Sequence, residues 1–288
     1  MSSTTFRNYE LSAIRNLIRS ALAEDIGPGD LTSRALLTGE EIGAAQAIAK
    51  SELVVAGLEV FREAFLAVDP ELSFAAFTAD GDLVSRGTVM AEIRGRLQAI
   101  LMGERVALNF LQRMCGIATA ARQFAQAVAG TGAKILDTRK TAPGLRILDK
   151  YAVRAGGAGN HRFALYDGVL IKDNHIAAAG GISAAIDRAR RNIPHTAKIE
   201  IEVRNMAELE EAMAAGADVI MLDNMTVADM KAAVDRVQGR IPLEASGNVG
   251  LATVRQIAEA GVDYISVGAL THSVQAADIS LMVRSVNP

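Results

Sequence analysis

Tryptophan is absent from this chain and aromatic residues make up only 4% of it, while half of its residues are hydrophobic. That balance argues against an aromatic-rich β-sandwich and for Ala/Val/Ile/Leu-rich α/β layers. Cysteine is nearly absent as well: Cys115 is the one thiol, which excludes an internal disulfide and makes a reducing cytoplasm the expected compartment. Cys115 lies among Leu, Phe and Met and reads as a buried inert thiol rather than a nucleophile. No apolar h-region opens the sequence, and no window reaches the ~18 uninterrupted apolar residues of a membrane span. Charge of one sign is also lacking, with 30 basic against 33 acidic residues and a net −3. A general attraction to nucleic acid or to an anionic membrane is thereby excluded, and any basic site must be local.

What is present divides into two rhythms, and 288 residues suit two domains or one barrel with an appendage. Residues 10–24 carry Leu11, Ile14, Leu17, Ile18 and Leu22 at helical spacing and stop at Gly27-Pro28-Gly29. From 43 to 94, short β-like runs surround one helical stretch and turn at Asp80-Gly81-Asp82, which predicts a small mixed α/β domain. The DGDLVSRGTVMAEI segment faintly resembles a lipoyl or biotinyl hairpin, but no lysine occupies the turn, so a carrier role is discounted. Residues 98–129 read as an apolar helix on which Arg105 lies within about 60° of Leu101 and Leu108. Two readings stand level for Arg105: a snorkelling side chain, or a guanidinium delivered to a pocket or subunit interface.

After Lys134 short apolar runs recur as KILDT, GVLIK, KIEIEV, DVIMLD, IPLEAS and VDYISVG, with helical patterns between most of them. This alternation predicts parallel strands with helical crossovers. Gly216 and Gly261 stand where C-caps would release two helices into AAGADVIMLDN and EAGVDYISVGA. The punctuation is that of a (β/α) barrel, incomplete because six clear runs fall short of eight, with a doubly wound open sheet as the competitor.

In such barrels chemistry sits at the carboxyl ends of the strands. The runs end in Thr138-Arg139-Lys140, Lys172-Asp173, Glu202, Asp223, Ser246-Gly247-Asn248 and Gly268. Converging charges of this kind point to function rather than solubility. Residues 137–175 concentrate positive charge, and arginine forks and lysine suit carboxylate or phosphate. Gly156-Gly157, Gly159 and Asn160 form a loop able to approach an anion ahead of His161-Arg162. Opposite, Glu202 and Asp223 suit ribose hydroxyls, a magnesium-bound diphosphate, or positive charge developing at an anomeric carbon, with a structural ion pair as the plain alternative for Glu202. Glu200 shares a strand face with Glu202 and is expected one layer deeper, paired with a barrel lysine. Ser246, Gly247 and Asn248 with Val267, Gly268 and Ala269 have the composition of a phosphate cradle.

The motifs DTRKTAPGLR, GGAGNHR, LIKDNH, IEVR, LDN, EASGN and SVGALTH, with EDIGPGDLTS and ERVALNFLQRMCGIAT before them, resemble the quinolinate phosphoribosyltransferase family over nearly the whole chain. The resemblance implies an α/β class fold: an N-terminal open α/β sandwich (residues 1–112, joined by about 273–288) and an incomplete, about seven-stranded α/β barrel (113–272). It implies at least a homodimer, in which Arg105 reaches the neighbour's pocket. Arg139, Lys140, His161, Arg162 and Lys172 would surround the quinolinate carboxylates, Glu202 and Asp223 would take the ribose side, and residues 246–248 and 267–269 the 5′-phosphate, with Thr138 also among the substrate-binding residues. Lys140, Glu202 and Asp223 would be catalytic. Mg²⁺ is the expected cofactor, held mainly through the diphosphate, with no protein ligand assigned. The implied reaction is phosphoribosyl transfer from phosphoribosyl pyrophosphate to quinolinate with decarboxylation, in NAD biosynthesis. No covalent nucleophile is expected, and His195 and His272 are incidental. The rivals are a same-fold enzyme using another acceptor such as nicotinate, a Schiff-base barrel enzyme, and a non-catalytic phosphosugar sensor.

Overall fold

The computed structural model describes residues 6–287. The chain parts into two compact units, Met1–Arg122 with Thr141–Gly157 and Ser273–Pro288, and Gln123–Lys140 with Ala158–His272. This division differs from the expected boundary at 112/113: residues 113–122 and 141–157 group with the first unit. Polar bonds within that unit account for the shift. Arg113 makes a bidentate pair with the fully buried Asp149, at 2.8 Å to each oxygen, and Arg122 donates to the carbonyls of Gly81 and Gly156.

Along the chain the first unit contributes α1 (Asn8–Ile26), α2 (Leu31–Leu36), β1 (Ile42–Ala49), β2 (Leu53–Val54), α3 (Leu58–Val68), β3 (Ser73–Ala76), β4 (Leu83–Val84) and β5 (Val89–Arg96). The long α4 (Leu97–Ala127) follows. Ile14, Ile18 and Leu22, three of the five periodic apolar residues, are buried on α1, and the helix ends at Gly27 as its sequence requires. The Asp30 side chain accepts from the amides of Thr32 and Ser33 and so starts α2. The antiparallel sheet runs β12-β1-β5-β3, with β12 (Ile279–Asn287) on its edge. The turn at 80–82 has a structural duty: Asp80 accepts from the Gly57 and Leu58 amides at the start of α3 and from the Tyr151 hydroxyl. Cys115 is fully buried, and burial pushes its thiol up to about 12, consistent with an inert packing residue.

The second unit carries β6 (Lys134–Leu136), then, after α5 (Arg146–Ala155) of the first unit, β7 (Val169–Ile171), α6 (Asp173–Ala179), α7 (Ile182–Asn192) and β8 (Ile199–Val203). It continues through α8 (Met206–Ala214), β9 (Val219–Asp223), α9 (Val227–Val237), β10 (Leu243–Ser246), α10 (Val254–Glu259), β11 (Tyr264–Ser266) and α11 (Ala269–His272). The parallel sheet has the order β6-β11-β10-β9-β8-β7. Successive strands lie side by side and the first pairs with the last, the singly wound order of a barrel; a doubly wound sheet would reverse direction from an inner strand. The sheet has six strands where about seven were expected. The missing one is reduced to a single parallel bridge between Leu136 and Gly159, made by two backbone bonds around Gly159. Asn205 and Thr226 cap α8 and α9 through their side chains. Gly216 and Gly261 follow α8 and α10 with φ of +80° and +97°, the left-handed geometry expected of residues that release a helix into a strand.

Candidate active site

Strand register sorts the inward residues into layers. Glu202, Met221 and Glu244 pair in one row across β8, β9 and β10, and Asp223 and Ser246 pair two residues further toward the carboxyl ends. Because neighbours in a parallel row share a face, these side chains converge. They line a cleft of about 490 Å³ within the second unit.

The cationic wall comes from β6, the loop after Gly159, and β7. Thr138, Arg139, Lys140, His161, Arg162 and Lys172 all line the cleft. Local bonds hold them. The Lys140 amide donates to Thr138 Oγ1 (3.0 Å), the Thr271 hydroxyl donates to the Lys140 carbonyl (2.9 Å), and Arg162 donates to the Gly168 carbonyl (2.7 Å). Burial and the neighbouring Arg139 lower the Arg162 pKa, since two guanidinium groups brought together out of water disfavour each other's charge. The Lys172 ammonium forms an ion pair with Glu202.

Glu202 and Asp223 form the acidic wall, and the Asn224 side chain donates to Asp223 Oδ1 at 3.1 Å. Asn224 was not anticipated from the sequence. It has φ +54°, its carbonyl oxygen accepts from the Asn248 side chain (3.3 Å), and it packs onto Gly247 so closely that a Cβ there would lie 2.2 Å from Asn224 Oδ1. Gly247 also has φ +99°, so the turn at the end of β10 needs glycine twice over. Ser246, Gly247 and Asn248 line the cleft. Val267 does not: it is 1% exposed, and its amide donates to Leu136 O. A parallel ladder claims that donor before any ligand can. Ala269 opens α11, and Gly268 packs beside the Lys140 side chain; neither lines the cleft wall. Arg105 is exposed on α4, in the first unit.

Beneath these walls lies a buried group that the ends of the runs did not reveal. Fully buried Asp137 accepts from the Asn160 side chain (2.6 Å) and the His161 amide (2.9 Å), which fixes the loop. His161 Nδ1 accepts from the Arg162 amide (2.7 Å), so the neutral ring carries its proton on Nε2. Nε2 faces Glu200 Oε2 at 3.0 Å and Glu244 Oε1 at 3.7 Å. Glu200 does point inward as expected, but its partner is this imidazole rather than a lysine. Burial and the adjacent Glu200 push the Glu244 carboxyl up to about 7. Glu244 and Ser266 both line the cleft, and the signal was present in the sequence: each stands two residues before a residue already singled out, hence on the same face.

Among the described residues, His161, Glu200 and Glu244 are the one group of His, Cys, Asp and Glu whose ligand atoms lie mutually within 4.8 Å. It does not suit Mg²⁺, which needs an octahedron of oxygens and retains several waters. Here an N–H points at the carboxylates and the acids are at most 9% exposed.

Two family models match the sequence: the quinolinate phosphoribosyl transferase N-terminal domain over residues 30–115 and its C-terminal domain over 117–282. A Bacillus subtilis protein named probable nicotinate-nucleotide pyrophosphorylase (carboxylating) is 46% identical, over 95% of this chain and 94% of its own. The Nicotiana tabacum quinolinate phosphoribosyltransferase (decarboxylating) 1b is 43% identical, over 94% of this chain and 82% of its own. The solved nicotinate-nucleotide pyrophosphorylase of Francisella tularensis superposes with a TM-score of 0.91 at 37% identity, covering 98% of each chain. Among the described residues no helix is long and apolar enough to cross a membrane. With both family domains matched in order and the cleft's charged walls at the strand ends, the chain belongs to the quinolinate phosphoribosyltransferase family.

Proposed function

We propose that this protein transfers the phosphoribosyl group of phosphoribosyl pyrophosphate to quinolinate, with loss of carbon dioxide, giving nicotinate mononucleotide and pyrophosphate for NAD biosynthesis. The observation that carries the reading to this chain is the two-walled cleft, with Arg139, Lys140, Arg162 and Lys172 on one side and Glu202 and Asp223 on the other. Two carboxylates on one small acceptor match several cations better than a single carboxylate would. The arginines orient the acceptor nitrogen toward the anomeric carbon. As pyrophosphate leaves, positive charge grows on the ribose, and Glu202 and Asp223 stabilise it. Substrate binding draws Lys172 from Glu202 toward the incoming carboxylate, which leaves the Glu202 charge to face the ribose. Ser246, Gly247 and Asn248 receive the 5′-phosphate. Mg²⁺ would be held mainly through the diphosphate oxygens, the hard ligands it prefers, and would supply charge neutralisation for the leaving group.

The enzyme works as a cytoplasmic homodimer or larger homo-oligomer, and Arg105 of one copy completes the cleft of another. An exposed guanidinium on a largely apolar helix supports this placement. Mixing Arg105→Ala and Lys172→Ala subunits, each inactive alone, should restore part of the activity; no recovery despite subunit exchange removes the shared site. The main test supplies quinolinate, phosphoribosyl pyrophosphate and Mg²⁺ and follows nicotinate mononucleotide and carbon dioxide, with nicotinate as parallel acceptor. Equimolar products from quinolinate alone are expected; turnover with nicotinate alone would overturn the acceptor.

A further inference from the structure

Loss of a carboxyl group from the pyridine ring leaves an electron pair on a ring carbon, and that carbon needs a proton before product can form. Lys140 apart, the residues assigned above to binding are poor sources. Guanidinium groups do not release protons at physiological pH, Lys172 is paired with Glu202, and the His161 Nε2–H is turned toward carboxylates.

We propose that Glu244, backed by Glu200 and held beside His161, is the acid that protonates the ring carbon from which carbon dioxide departs. Glu244 lines the cleft, is 2% exposed, and has an Oε1 without a hydrogen-bond partner. It stands in the same register row as Glu202, with Met221 of the intervening strand between them, and both line the one cleft. Glu200 Oε1 likewise lacks a partner, and both glutamates approach one imidazole nitrogen. Two carboxylates this close cannot both ionise without cost, so the pair retains a proton.

The step balances. The bond between ring carbon and carboxylate breaks, its electrons remain on the carbon beside the now cationic ring nitrogen, and carbon dioxide leaves. Those electrons take the Glu244 proton, forming C–H as O–H breaks. Glu244 is then a carboxylate beside Glu200 and is reprotonated from solvent between turnovers. The ionisable groups that face it are Glu200 from β8 and His161 from the loop after Gly159; Ser266 of β11 lies against it, and Arg139, Arg162 and Glu202 stand further out in the cleft.

The inference rests on the quinolinate reaction above, and Glu244→Gln tests it, because glutamine keeps the shape and lacks the acid. Expected are a fall in kcat of about 10²–10⁴-fold, KM values for both substrates within a few-fold of the parent, and loss of the alkaline limb from the pH profile. Parent-like kcat at every pH would overturn the assignment and move the proton source to Lys140 or water. A joint collapse of kcat, KM and melting temperature would reduce Glu244 to a structural role and overturn it as well. Glu200→Gln provides an independent reading: removing the neighbouring negative charge should shift the alkaline limb to lower pH, and an unmoved limb refutes the paired arrangement. If the unaltered protein makes no nicotinate mononucleotide from quinolinate, the reaction itself has been misread, an outcome separate from all of these.

Discussion

Glu200 and Glu202 lie two residues apart on one face of β8 and meet opposite fates. Glu202 finds a lysine ammonium at the half-exposed mouth of the cleft, whereas Glu200 finds an imidazole and a second carboxyl at its floor. At the mouth, solvent screens the pair and a substrate can exchange with it, so the interaction contributes little stability and much function. At the floor, desolvation magnifies each charge and one proton settles the balance. The two glutamate side chains are almost equally enclosed, so what separates them is the partner each meets: a half-exposed ammonium for Glu202, a mostly buried imidazole and carboxyl for Glu200.

After the loss expected of Glu244→Gln, the largest effect should come from the mouth. Glu202→Gln removes the charge facing the ribose and should lower kcat about 10²–10³-fold, while calorimetry shows a nearly unchanged melting temperature. At the floor the measurable quantity is stability against pH. Glu244 has a folded pKa raised from 4.5 to about 7, so the folded state binds more protons in that window, and stability falls as pH rises through it. The decline should be on the order of a few kcal/mol and should flatten in Glu244→Gln; urea titrations at pH 5 and pH 8 would reveal it, and an identical slope in parent and variant would contradict it. Gly247→Ala forces a side chain into a left-handed turn against Asn224 and should cost about 1–3 kcal/mol, with a raised KM for phosphoribosyl pyrophosphate in steady-state assays. The smallest effect belongs to an ion pair with no part in either layer. Arg204 and Asp173 are both more than half exposed, so Arg204→Ala should cost less than about 1 kcal/mol and leave turnover unchanged.

Much of the second unit was readable because period-two alternation and helix punctuation mark strand ends, and strand ends are where such folds place chemistry. Arg139, Lys140, Lys172, Glu202 and Asp223 were singled out in this way, and all five line the cleft. Glu244 and Ser266 escaped because, Glu200 apart, the reading rested on the residues that close each run, although the same alternation turns inward the residue two positions further back. The His161 contact with Glu200 was not readable in principle, since it depends on how Asp137 draws a distant loop inward. Asn224 could not be foreseen for a related reason: its role follows from a backbone turn and the missing Cβ of Gly247. The unit boundary escaped because charged residues on α4 bond to residues far along the chain.

The two larger sheets each pair an early strand with a late one: β6 with β11, and β1 with β12. Neither can be completed until its late strand has left the ribosome. Pairings of such long sequence separation are entropically costly and slow to form. During synthesis β1 must wait with one edge unsatisfied, a hazard for aggregation. The walls of the cleft, spread over β6 to β11, are therefore assembled late, and a nascent fragment ending before Leu243 would hold Lys172, Glu202 and Asp223 without Glu244 or the turn at 246–248.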